Sequence, residues 1–168
     1  MGDQCASRAV SAFLYIHNLG IVIAYRKPIM GKDMTESTPF RWPIRVYYED
    51  TDAGGVVYHA NYLNYFERAR TELLREIGVN QQALFADRTA FVVRHMDIDF
   101  HRGARLDDAL EVVTTVSAMG RASMTFCQSL VNFDQKALCA ATVKIACVDP
   151  TTMKPKSIPT QIKSEMMT

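Results

Sequence analysis

Asn61 to Ile77 reads NYLNYFERARTELLREI. Tyr62, Phe66, Ala69, Leu73 and Ile77 recur at helical spacing, and Leu63, Tyr65 and Leu74 widen the apolar side. Asn61 suits the N-cap of this helix, because its side-chain oxygen can accept a free N–H of the first turn. Gly78 suits the C′ stop. Arg68 and Glu72 stand four apart on the other face, at ion-pair spacing. An apolar face this wide predicts a deeply buried helix.

Outward from the helix, the pattern changes to period two. Before it, Arg41 to Glu49 (RWPIRVYYE) alternates and is rich in aromatic and β-branched residues, which predicts a strand. Pro43 favours the strand's start or a sheet edge. After it come four more strands. They are Thr89 to Phe100, Ala109 to Met119, Ala122 to Phe133 and Ala137 to Val148. Leu110, Val112, Thr114, Val116 and Ala118 form one side of the second of these. Gly120-Arg121 and Asp134-Gln135-Lys136 supply turns. The tail from Asp149 carries Pro150, Pro155 and Pro159 and reads as loop. The order is β-α-β-β-β-β, an α+β class with an antiparallel sheet curled around one long helix.

The bulk numbers bound the function. A chain of 168 residues suits one domain, and 48% hydrophobic with 22% charged residues is ordinary for a globular protein. A net charge of +1 gives no global attraction to nucleic acid or anionic membrane. Cys5, Cys127, Cys139 and Cys147 form no C-x-x-C pair, which argues against a zinc ribbon or a thioredoxin-like site. They read as reduced, buried thiols of a cytoplasmic protein. The run Ala9 to Tyr25 is short for a spanning helix and is broken by His17, Asn18 and Gly20. It also lacks a clean signal-peptide pattern. Residues 1–37 are therefore expected to be an extension outside the domain, in preference to a membrane anchor or a structural helix. Met30 and Met34 are candidate starts. Residues 38–168 are expected to hold the domain and its proline-containing tail.

The chemistry concentrates between the first strand and the helix. Tyr48 to Tyr62 reads YEDTDAGGVVYHANY and sets Asp50, Asp52 and His59 around Gly54-Gly55. On composition alone, Asp52 is as well read as the cap of a tight turn. Asp50, Asp52 and His59 are acceptable metal-ligand types, but their spacing fits no standard zinc or calcium loop. No G-x-S-x-G elbow occurs.

These residues carry a resemblance. YYEDTDAGGVVYHANYLNYFERARTE (47–72), with FRWPIRV before it and VDPTTMKPKSIP (148–159) after the last strand, resembles the Tol-Pal-associated acyl-CoA thioesterases. These belong to the 4-hydroxybenzoyl-CoA thioesterase group of hot-dog-fold proteins. The resemblance runs from about Phe40 to Ile162. It departs at His101 to Asp108, where Gly103 stands in the place of a proline often found in the family.

The resemblance implies hydrolysis of acyl-CoA thioesters without a cofactor or metal. Asp52 matches the family's catalytic aspartate, as base on water or as nucleophile. His59 matches a site position, through its ring or through its backbone N–H at the helix N-terminus. Gly54 and Gly55 would let the thioester approach the backbone, Tyr58 would line the acyl pocket, and Asn61 would cap the helix. Asp50 is read as supportive, and Glu67 as the alternative base. Arg94, Arg102, Arg105 and Arg121 are candidates for the phosphates of coenzyme A, with Arg105 taken forward. A homodimer or homotetramer with sites at subunit interfaces is implied. The competing functions are an acyl-carrier-protein-binding module with weak hydrolysis and a hot-dog hydratase or dehydratase.

Overall fold

A computed structural model describes residues 38–167 of the chain. The expected extension, residues 1–37, lies outside the described residues. The elements run β1 (Phe40–Arg45), α1 (His59–Glu76), α2 (Gln81–Ala86), β2 (Ala90–Phe100), β3 (Ala109–Met119), β4 (Ser123–Asn132), β5 (Ala137–Val148) and α3 (Thr160–Met166). The strands form one antiparallel sheet in the order β1-β3-β4-β5-β2, curled against α1. This is the hot-dog arrangement expected from the β-α-β-β-β-β order.

The strand pattern is reproduced closely, because alternation sorts each strand onto a core side and a solvent side. Leu110, Val112 and Thr114 are buried on one side of β3 as expected. Ala118 is exposed instead, because the register slips between Val116 and Ala118 and the bulge turns the strand's end outward. β1 stops at Arg45, four residues before the expected end, and Tyr48–Asp50 forms a 3-10 turn. Val46 remains buried and exchanges backbone hydrogen bonds with Asp107 and Asp108. That pairing passes the chain from the sheet into the loop that carries the acidic residues.

α1 begins at His59, two residues before the expected start, with Tyr58 at its N-cap. Asn61 is thus inside the first turn and is not the cap. Its side-chain amide instead donates to the Asp50 carbonyl at 3.0 Å. The helix ends at Glu76, and Gly78 takes the left-handed conformation (φ +76°) after it. α1 buries one stripe only. Tyr62, Tyr65, Phe66, Ala69, Arg70 and Leu74 are buried, while Leu63 is exposed. Arg68 and Glu72 do not pair, since Glu72 is taken by Arg75 one turn on. Phe66 has no exposed surface and packs in the centre of the core. Burying one such side chain contributes about 1.5–3 kcal/mol.

Two short helices were not anticipated. α2 is capped by Asn80, whose side chain accepts the N–H groups of Gln82 and Ala83. α3 lies in the tail read as loop, where Ile162 and Met166 are buried against the core. Three prolines in the tail masked this one-turn repeat of apolar residues. Cys139 and Cys147 are free and buried, as expected. Burial pushes the Cys139 thiol up to about 12, with Asp99 adding to the effect. Cys5 lies outside the described residues.

Candidate active site

The loop between β1 and α1 is closed by local bonds. Thr51 and Val57 form an isolated antiparallel bridge across it. Asp52 N–H donates to the Val56 carbonyl at 3.0 Å, and Gly55 N–H donates to the Asp52 carbonyl at 3.0 Å. The Asp52 carboxylate is exposed and accepts the Gly54 N–H at 2.8 Å. Gly55 has φ +71°, a conformation that a side chain would strain. The turn chemistry expected of Asp52 is therefore present, and one carboxylate oxygen is free of it.

Asp50 plays a different part. It is buried, and its carboxylate accepts the Tyr47 N–H at 2.8 Å. Its carbonyl accepts both the Tyr58 N–H at 2.8 Å and the Asn61 amide. Asp50 thus fixes the start of α1 relative to the loop. Tyr65 lies below it, with a hydroxyl that is buried and makes no hydrogen bond of good geometry. Burial and the adjacent Asp50 carboxylate both raise the pKa of this phenol.

His59 is the first residue of α1, and its ring is exposed. Tyr58 packs on it at 4.4 Å between centroids, and Phe100 stands edge-on at 6.4 Å. Phe100 also meets the ring of Tyr62 at 5.4 Å. The first N–H groups of a helix have no acceptor within it. Asn61 N–H turns back to the Tyr58 carbonyl, but no described residue accepts from the N–H of His59 or Ala60.

The loop before β3 supports the site from the side. Ala104 is fully buried, accepts the Val57 N–H at 2.8 Å and donates its own N–H to the Tyr62 hydroxyl at 3.0 Å. Gly103 packs closely against the β1–α1 loop. A Cβ there would lie 2.8 Å from Val56 Cγ1. The glycine lets the β1–α1 loop seat directly on this one.

The expected site residues thus divide. Asp52, Gly54, Gly55, Tyr58, His59 and Asn61 come together around one loop and one helix end. Arg105 is adjacent through Ala104, with its N–H bonded to Asp108 and its guanidinium in solvent. Arg94 lies at the β2 bulge and Arg121 in the β3–β4 turn. Glu67 lies two turns along α1 and accepts a hydrogen bond from Thr71. Among the described residues no group of three His, Cys, Asp or Glu side chains is placed to hold a metal ion. Nor is any described helix long and apolar enough to cross a membrane.

Sequence reasoning missed two features. One is Phe100, whose edge contacts tie β2 to the helix start. The other is Arg70, buried on α1. Its spacing four residues after Phe66 and four before Leu74 put it on the apolar face and would have singled it out.

Residues 46–166 match the thioesterase-like superfamily. The chain belongs to that superfamily. It is 54% identical over 129 residues to a protein of Escherichia coli O6:H1 named acyl-CoA thioester hydrolase YbgC, covering 77% of this chain and 96% of that one. It is 52% identical over 126 residues to the acyl-CoA thioesterase YbgC of Haemophilus influenzae, covering 74% and 92%. Among solved structures, a probable thioesterase from Bartonella henselae superposes with a TM-score of 0.66 at 37% identity, over 73% of this chain and all of that one. A Synechocystis 1,4-dihydroxy-2-naphthoyl-CoA thioesterase shares the fold, with a TM-score of 0.72 at 22% identity over 77% and 96%.

Proposed function

We propose that this chain hydrolyses acyl-CoA thioesters, with Asp52 as the chemical residue and the N-terminus of α1 as the oxyanion site. The observation that carries the reading is local. An exposed carboxylate and two unpaired helix N–H groups sit at the two ends of one short loop closed by the Thr51–Val57 bridge. The similarity to named acyl-CoA thioester hydrolases supports the substrate class.

Water attacks the thioester carbonyl carbon, and Asp52 takes its proton. The carbonyl oxygen becomes an oxyanion and accepts from the His59 and Ala60 N–H groups, helped by the helix dipole. Collapse of the tetrahedral species breaks the C–S bond. The products are the free acid and coenzyme A, whose thiolate is a good leaving group and takes up a proton. In the alternative route Asp52 attacks the carbonyl itself, and water then cleaves the mixed anhydride. Tyr58, Gly54 and Gly55 border the approach to this loop, Asn61 holds the helix start, and Arg105 offers a cation for a coenzyme A phosphate.

The branch associated with the Tol-Pal system, a cytoplasmic location and pairing with a second copy remain part of the proposal, as does contact with acyl carrier protein. For pairing, the support is that β2 is an eleven-residue edge strand ending at Phe100, beside the His59 ring.

A thiol-release assay with acyl-CoA substrates tests the reading. Asp52→Asn should lower the rate roughly 10²-fold with the fold intact, the scale of a positioned base. Unchanged turnover in Asp52→Asn would remove it from the chemistry. No turnover by the wild type, with acyl carrier protein still bound, would favour the binding module instead.

A further inference from the structure

Midway along α1 the molecule holds a second feature that hydrolysis does not use. Arg70 is 8% exposed. Its Nη1 donates to Gln128 Oε1 at 2.7 Å. Gln128 is itself buried and spends its amide on the Phe66 carbonyl and the Thr114 hydroxyl, both at 3.0 Å. Arg70 makes no ion pair with any described residue. Guanidinium has five N–H donors, of which this arrangement fills one.

A buried cation whose one hydrogen bond goes to a neutral amide, with the Glu67 carboxylate acting on it only from beyond ion-pair distance, is costly, and proteins normally pair such a charge. The unpaired donors here are not sealed in protein, because Arg70 lines a cavity of about 300 Å³. That volume is at the lower end for small-molecule sites. Most of the wall is apolar, with Leu74, Leu84, Phe91, Met124, Phe126 and Ile145 contributing. Glu67 stands at the wall one turn before Arg70, but its carboxylate is exposed and bonded to Thr71. From His59 to Arg70 is about 16 Å along the helix, at about 1.5 Å per residue.

We propose that this cavity is a binding site for an apolar chain ending in a carboxylate, with the carboxylate on Arg70 and the chain on the surrounding aliphatic and aromatic wall. The Arg70–Gln128 bond orients the guanidinium, so that its remaining donors meet the carboxylate in the paired geometry that arginine favours. An alcohol or a methyl-ended chain of the same length gains the wall but leaves the cation unpaired. The carboxylate has two sources, a free fatty acid or the far end of a dicarboxylic acyl chain.

Calorimetric titration of the full chain with decanoate and with decan-1-ol reads binding and not turnover. Its failure is therefore separate from failure of the hydrolysis reading. Decanoate should bind at least about tenfold more tightly than decan-1-ol. Arg70→Met should remove that preference and Arg70→Lys should retain most of it. Equal binding of the two ligands by the wild type overturns the proposal whether or not the variants fold, and so does a folded Arg70→Met protein that keeps the preference. Given the preference, turnover of sebacoyl-CoA against decanoyl-CoA assigns the source. An advantage for sebacoyl-CoA that Arg70→Met abolishes identifies the substrate's own distal carboxylate, and equal turnover identifies a free fatty acid.

Discussion

The Asp52 loop leads into the helix whose middle carries Arg70, yet the two sites are built by opposite means. In the loop, polar groups stay in solvent and are satisfied by neighbours two to four residues away in sequence, Gly54 and Val56. In the cavity, a buried charge takes its one hydrogen bond from 58 residues away, at Gln128, which in turn reaches back 62 residues to Phe66. A site of the first kind tolerates loss of a side chain without loss of the fold. A site of the second kind does not, because each partner left behind is a buried orphan.

The sharpest way to break that contrast is Gln128→Leu. It strips the guanidinium, the Phe66 carbonyl and the Thr114 hydroxyl of their shared partner, and should destabilise the protein by about 3 kcal/mol. Urea unfolding measures this, with turnover per folded molecule largely kept. Asp52→Asn should do the reverse, with roughly 10²-fold lower kcat/KM, about 2.7 kcal/mol of barrier, and little shift in the urea midpoint. His59→Ala in the same assay should lose less than tenfold if its backbone N–H is what serves the oxyanion. A protein in which Gln128→Leu costs activity alone, or Asp52→Asn costs stability alone, would dissolve the distinction.

Gly103→Ala probes the boundary between the two kinds of structure. The loop itself is local, but its seat on Gly103 is tertiary. The added methyl meets Val56 at 2.8 Å, and the stiff β-branched side chain has little room to give. We expect a loss of about 1–2 kcal/mol in stability, together with a fall in kcat as the loop lifts.

The smallest effect belongs to a second local turn. Asp149 accepts the N–H groups of Thr152 and Thr151 and pairs with Arg88, which hold its carboxyl below the ordinary 3.8. A depressed folded pKa means that the stabilisation is present above about pH 3.8 and fades as the pH falls through the lower folded value. Asp149→Asn should therefore trail the wild type slightly in thermal melts near neutrality and converge with it in acid. A gap that widened in acid would contradict the local-turn picture.

Much of the fold was legible because its signals are short-ranged. β3 and β5 were bounded correctly from alternation alone, since period two is set by each strand's own backbone. α1 was found but started late. Asn61 looked like a cap, and its true role is to bind the Asp50 carbonyl, eleven residues back. α3 was missed because its apolar residues are helical only once the core is present to receive Ile162 and Met166. The loop residues Asp52, Gly54, Gly55, Tyr58 and His59 were nominated together, because contiguous sequence closes that loop.

The order of elements, the antiparallel class and the acidic loop at the head of a helix are written in the chain locally. Each follows from backbone periodicity or from bonds between near neighbours. It took the packed fold to bury Asp50 and leave Asp52 exposed, to seat Val56 on Gly103, and to join Arg70 to Gln128 beside a cavity. Those facts depend on which distant strand lies opposite a given residue. Sheet order and register set that, through pairings between residues far apart in the sequence.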